Sequence, residues 1–85
     1  MPSLVATMVT PRQIKAARAL LGWSQQELAD KAIISLNALT RLESGKVDSR
    51  LSTLTAVHKA LLRAGVEFIS AGDKGEGVRL VDPAA

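Results

Sequence analysis

The run Ser24-Gln25-Gln26-Glu27-Leu28-Ala29, followed by Arg41-Leu42-Glu43-Ser44-Gly45, constrains this chain more than any other feature. Ser24 with Glu27 three residues later is a capping box. The hydroxyl takes a backbone N–H of the first turn, and the carboxylate reaches back to the N–H of the capping residue itself. The pair predicts a helix from about Gln25 to Lys31, with Leu28 and Ala32 facing inward. Ala29 has the small side chain needed where a second helix crosses closely. Ser35 caps that second helix, which runs to about Ser44 with Leu39 and Leu42 on its buried side, and Gly45 stops it. Ile34 sits just past the turn between them. The centre of the chain thus reads as two short helices joined by a tight turn, the second carrying its polar residues outward.

The flanks supply support for this pair. Thr10-Pro11 opens an earlier helix, since Thr caps well and Pro fits the first turn. Ile14, Ala17 and Leu21 fall at helical spacing and face inward; Gly22 ends the helix, and Trp23 bridges to the next one as a core or rim anchor. After the polar loop from Lys46 to Leu51, Ser52 or Thr53 starts a fourth helix ending near Ala64 and closed by Gly65. Its inner stripe is Leu54, Val57 and Leu61, with Leu51 before it. The pattern then changes. Val66-Glu67-Phe68-Ile69-Ser70 and Val78-Arg79-Leu80-Val81 have strand composition and flank the glycine-rich loop 71–77, so they read as an antiparallel hairpin. Val66 and Phe68 face the core, leaving Ile69, Arg79 and Val81 partly outward. The glycines do not form a phosphate cradle, because no helix follows and no Lys-Ser/Thr signature is present.

Eighty-five residues make one domain with one modest core. Only Trp23 and Phe68 are aromatic, so that core is built from Leu, Ile, Val and Ala. Eleven Lys and Arg against eight Asp and Glu give a charge of +3, which permits nucleic-acid binding without demanding it. Absence of cysteine excludes a disulfide scaffold and a thiolate metal site; a reducing cytosol is the simplest home. Residues 1–9 lack the basic start and long apolar run of a signal peptide. They read as a loose arm, or as an added strand or dimer contact. No run approaches a membrane span. His58, the only histidine, has no partner for a metal site and reads as exposed on the fourth helix. Arg12 and Lys15 read as a solvated face. The Ser and Thr residues sit mostly at helix starts, with no catalytic arrangement among them, so no enzyme, metal or cofactor is expected.

Arg18, Leu21-Gly22, Ser24-Gln25-x-Glu27-Leu28-Ala29, Leu39-x-Arg41-Leu42-Glu43-x-Gly45 and Leu54 together resemble the Cro and CI repressor-like family, the XRE-type helix-turn-helix regulators, over roughly residues 14–65. The run from Ala64 to Ile69, with Gly77 to Leu80, looks like a hairpin tail found in a small bacterial branch of that family. The resemblance implies a mainly α, four-helix, lambda-repressor-like domain with a C-terminal β-hairpin, in which the second helix of the motif enters the DNA major groove. It implies that Gln25 bonds a phosphate, that Ser35, Leu36, Asn37 and Arg41 face the groove with Thr40 beside them, and that Lys46 and Arg50 grip phosphates. Asn37 has the geometry to pair an adenine edge, Arg41 can take guanine through two bonds, and Leu36 would contact a thymine methyl. Arg18 could be a surface charge on phosphate; the family match favours a partly buried ion pair with Glu43. Two residues depart from the pattern. Ile33 stands where the family usually has a left-handed Gly, so the turn is either remodelled or strained by roughly 1–2 kcal/mol. Leu36 stands where polar residues are common.

The expectation is therefore a sequence-specific, double-stranded-DNA-binding regulator, a repressor in its simplest form, working in the cytoplasm on a bacterial or phage nucleoid. It divides into an arm (1–9), a helix-turn-helix domain (10–65) and a hairpin with tail (66–85). A homodimer through Val66, Phe68, Ile69, Arg79 and Val81 would read a palindrome. The alternative is an interaction module, an antiactivator or antitoxin, whose partner is a protein; Ile33 and Leu36 supply its apolar groups.

Overall fold

The structure, a computed structural model, describes residues 9–45, 50–72 and 75–81. Four helices, α1 (Pro11–Leu21), α2 (Gln25–Ala32), α3 (Leu36–Glu43) and α4 (Leu51–Arg63), precede β1 (Val66–Gly72) and β2 (Gly75–Leu80). The strands pair antiparallel, with Val66 opposite Leu80 and Phe68 opposite Val78. No described helix is long and apolar enough to cross a membrane.

The helix starts follow from their caps. Thr10 accepts from the Gln13 N–H while the Gln13 side chain accepts from the Thr10 N–H, and Ser24 and Glu27 do the same for α2. Ser35 accepts from the Ala38 N–H at the start of α3. The exception is α4. It begins at Leu51, ahead of both expected starts, Ser52 and Thr53, and Arg50 precedes it without a side-chain cap. That start leaves Leu51 52% exposed, outside the inner stripe.

Ile14, Ala17, Leu28, Ala29, Leu39, Val57 and Leu61 are fully shielded at the centre. Val66 of β1 and Val9, ahead of α1, belong to the same cluster. The hairpin therefore shares the helical core and is not an appended unit, and Val9 is not part of a loose arm; residues 1–8 lie outside the described residues. Trp23 is half-buried against the core, with the Lys31 ammonium 5.7 Å from its ring centre.

Three features depart from expectation. The strands run into the expected seven-residue loop until Gly72 faces Gly75, with an irregularity between Ile69 and Gly72. His58 is not a free surface group: its ring meets Phe68 edge-on, centroids 4.9 Å apart, and burial pushes the imidazole below its ordinary pKa. Arg12 is not merely solvated, because it pairs with Glu76 of β2 and holds that carboxyl below its usual range.

The hairpin is fixed by one side chain. Gln13 is 2% exposed; its Nε2 donates to the carbonyls of Ile69 and Gly77, each at 2.9 Å, and its Oε1 accepts from the Thr10 N–H at 2.9 Å. An amide has two N–H donors on nitrogen and an accepting oxygen, so all three bonds use chemically matched groups. They tie the first turn of α1 to the one point where both strands can be held at once. Gln13→Ala should cost about 2–3 kcal/mol, the penalty for withdrawing partners from buried polar groups. Gln13→Glu should be at least as damaging at neutral pH, because a carboxylate would face two carbonyl oxygens. Its folded-state pKa would then lie above its unfolded value, so the stability of this variant should fall as pH rises from about 4.3, the unfolded value, through the folded one. Chemical denaturation of both variants at pH 4 and pH 7 checks this; a Gln13→Glu protein equally stable at both would remove the assignment.

Candidate nucleic-acid interface

The geometry of the motif is set by Glu43, the last residue of α3 and only 2% exposed. Arg18 of α1 donates to it through Nε at 2.7 Å and Nη2 at 2.9 Å, and its Nη1 reaches the Trp23 carbonyl at 3.2 Å. Gln25, at the start of α2, donates Nε2 to the same carboxylate at 3.1 Å. One buried carboxylate thus joins three helices. The fork-on-carboxylate geometry suits Arg and not Lys.

With Leu39, Leu42 and Glu43 committed inward, α3 presents its other side to solvent. Ser35, Asn37, Thr40 and Arg41 are exposed, as is Leu36 at 41%. Asn37, Thr40 and Arg41 follow the three- and four-residue spacing that makes one helix face. Their hydrogen-bonding capacity differs. The Thr40 hydroxyl donates to the Leu36 carbonyl at 2.9 Å, so it can only accept from a ligand. Ser35 accepts from the Ala38 N–H at 3.0 Å and keeps a hydroxyl proton to donate.

The phosphate-contacting candidates are dispersed. Gln25 is half-buried, with one amide N–H turned to Glu43 and the other not used there. Arg50 is exposed at the uncapped start of α4, where first-turn N–H groups add to its charge. Lys46 lies outside the described residues. Of the dimerisation candidates, Val66 is 3% exposed and Phe68 is half-buried beside His58; both serve the chain's own core. Ile69 at 38%, Val81 at 42% and Leu80 at 45% are exposed, and Arg79 pairs with Glu67 across the hairpin. Among the described residues, no cluster of His, Cys, Asp or Glu could hold a metal.

The turn keeps its geometry in spite of Ile33. The Ile33 N–H bonds the Asp30 carbonyl and the Ile34 N–H bonds the Ala29 carbonyl, the double closure that normally ends on glycine. The same closure ends α1, where Gly22 and Trp23 bond Ala19 and Arg18. Gly22 has φ 70 and ψ 24, and Ile33 has φ 58 and ψ 50. Of the two possibilities for this turn, the strained left-handed residue is the one found. Ile33 is 88% exposed, so it gains no burial in return. Ile33→Gly should therefore stabilise the domain by about 0.5–1 kcal/mol, the strain relieved less the greater chain entropy of glycine, and raise Tm by about 3–6 °C. A thermal melt in which the variant unfolds earlier would show that the strain is not there.

The match to known proteins follows the same boundaries. No curated protein matches the chain. A helix-turn-helix family model matches residues 14–63, from the core Ile14 of α1 to the last residue of α4, and so covers the Ser24–Glu27 capping box, the turn, the outward row of α3 and the Arg18–Glu43 pair. On that match the chain belongs to the XRE-type helix-turn-helix family, the Cro/CI repressor-like DNA-binding regulators.

Proposed function

We propose that this protein is a sequence-specific transcriptional repressor that binds a palindromic operator as a homodimer, in a cytoplasm and on a nucleoid. The observation that carries the reading is the division of α3 into two faces. One is locked by Leu39, Leu42 and Glu43; the other holds Asn37, Thr40 and Arg41 in solvent. A major groove about 12 Å wide admits such a helix, and Asn and Arg are the residues that pair adenine and guanine edges through two bonds. Leu36 fits a thymine methyl. Gln25, Arg50 and the start of α4 would position the domain on the backbone; a phosphate role for Lys46 is implied by the family resemblance. Covering a promoter is the simplest regulatory outcome.

The dimer reading rests on the outer face of the hairpin. The Val81 N–H bonds the Gly65 carbonyl at 2.6 Å, which sets the phase of the ladder. Glu67, Ile69, Arg79 and Val81 then share the face turned from the helices, with the Glu67–Arg79 pair between two apolar side chains. That face is small but self-complementary in charge, as a two-fold contact requires. A body of 30 × 30 × 20 Å is also matched in width to half-sites about 34–36 Å apart.

Two experiments test this reading. In binding-site selection followed by titration, Arg41→Ala should cost about 1–3 kcal/mol on the preferred site and relax preference at one position. Arg50→Ala should weaken all sequences alike and flatten the salt dependence by about one unit. Absence of duplex binding by the wild type at low salt would end the proposal. For assembly, light scattering should give twice the chain mass for the wild type and the chain mass for Ile69→Asp with Val81→Asp, both exposed in the fold. Equal masses would remove the hairpin interface.

A further inference from the structure

The turn that links α2 to α3 carries a cost with no internal return. Ile33 adopts φ 58 and is 88% exposed. A strained residue that stabilises nothing in its own fold points to a contact outside it. Its neighbour Ala32 closes one end of an open groove between α2 and α4, lined also by Leu51, Thr55, Ala56, Lys59 and Arg63. Leu51, the first residue of α4, is 52% exposed. Leu51 thus stands beside two alanines, Ala32 and Ala56, small enough to leave room for side chains from a partner, and Ile33 follows Ala32 in the chain.

The rim supplies the sign of that partner. Lys59 and Arg63 are four residues apart on α4, one turn along the same face, and both are exposed. No acidic residue lines the groove, and among the described residues neither cation makes an ion pair. DNA is not the natural occupant, because the floor is apolar and the outward row of α3 is not among its lining residues. We propose that this groove docks an acidic amphipathic helix from a second protein. Ile33 and Leu51 are its apolar contacts, and Lys59 and Arg63 meet acidic side chains spaced one turn apart. Helix-in-groove recognition uses this division of labour, with apolar residues at three- and four-residue spacing for affinity and rim charges for register. A regulator built this way holds DNA with α3 and a protein in the groove between α2 and α4, whose lining reaches the start of α4 at Leu51 and Ser52. The inference is independent of the operator reading.

The test is a selection of random peptides of about sixteen residues, some four turns of helix, on the full-length chain. Enriched peptides should converge on apolar residues at helical spacing with Asp or Glu along one flank. Titrated into isotope-labelled protein, they should shift the Ala32, Leu51, Ala56 and Lys59 amides saturably. Lys59→Glu and Ile33→Gly should each weaken them about tenfold. Ile33→Gly guards against misfolding, because it should melt no lower than the wild type. Four outcomes would overturn the proposal. They are a selection that fails to converge, enriched peptides that bind both variants as tightly as the wild type, shifts that fall on Asn37 and Arg41, as expected of a phosphate mimic, and groove amides that shift with protein concentration alone, which would make a second copy the occupant.

Discussion

The buried carboxylate of Glu43 is the constraint on which the rest of the structure depends. An ionised group withdrawn from water is held only if its oxygens are matched by donors. Here three N–H groups supply them, two from Arg18 and one from Gln25. Because the donors come from α1 and α2 and the acceptor ends α3, the charge can be satisfied in only one mutual arrangement of the helices. Apolar contacts alone would tolerate small rotations of α3, since Leu and Ala surfaces have little directional preference. The fork of Arg18 does not, and removing one partner of such a pair typically costs about 3–5 kcal/mol, less in proportion to exposure. Arg18 is about one-fifth exposed, which lowers its share of that figure and leaves the orientation it imposes unchanged.

Gln13 plays the same part for the hairpin at lower electrostatic cost. A neutral amide loses less on burial than a charge, yet its two donors and one acceptor still demand definite partners. It places the strands against α1, and Phe68 against His58 places them against α4. Direction comes from these polar groups, and adhesion comes from Val66, Val57 and Leu61. The division explains why a two-stranded sheet, marginal alone in water, is ordered here. One face is borrowed from the helical core, leaving Glu67, Ile69, Arg79 and Val81 as the face with uncommitted surface.

Features encoded within a few residues were legible in the sequence. The box at Ser24, the caps at Thr10 and Ser35 and the glycine stops at Gly22, Gly45 and Gly65 each act within one turn, and each appears in the fold. The inward stripes were legible for the same reason, since periodicity is local. What escaped notice depended on partners far along the chain. Gln13 looks like an ordinary polar residue until Ile69 and Gly77, more than fifty positions away, are brought beside it. Arg12 needs Glu76, and His58 needs Phe68. The start of α4 was misplaced because Ser and Thr favour caps only when the preceding backbone lets them; Arg50 takes the position without offering a side-chain bond. In the candidate site, the outward row of α3 could be read from spacing and the family likeness. The inward turn of the Gln25 amide could not, whereas strand alternation already turned Val66 and Phe68 to the core.

Ile33 shows how the two levels meet. A left-handed β-branched residue costs about 1–2 kcal/mol, enough to unwind an isolated turn. Here the turn is flanked by helices whose packing is fixed independently, by Leu28, Ala29 and Leu39 on one side and by the Glu43 pair on the other. The chain between them has one route, and the residue at its apex takes the dihedral angles that route dictates, whatever its own preference. The strain is therefore borne by the whole motif and not relieved locally. An apolar side chain is thereby displayed at the apex, next to α3, in a place where glycine would have displayed nothing.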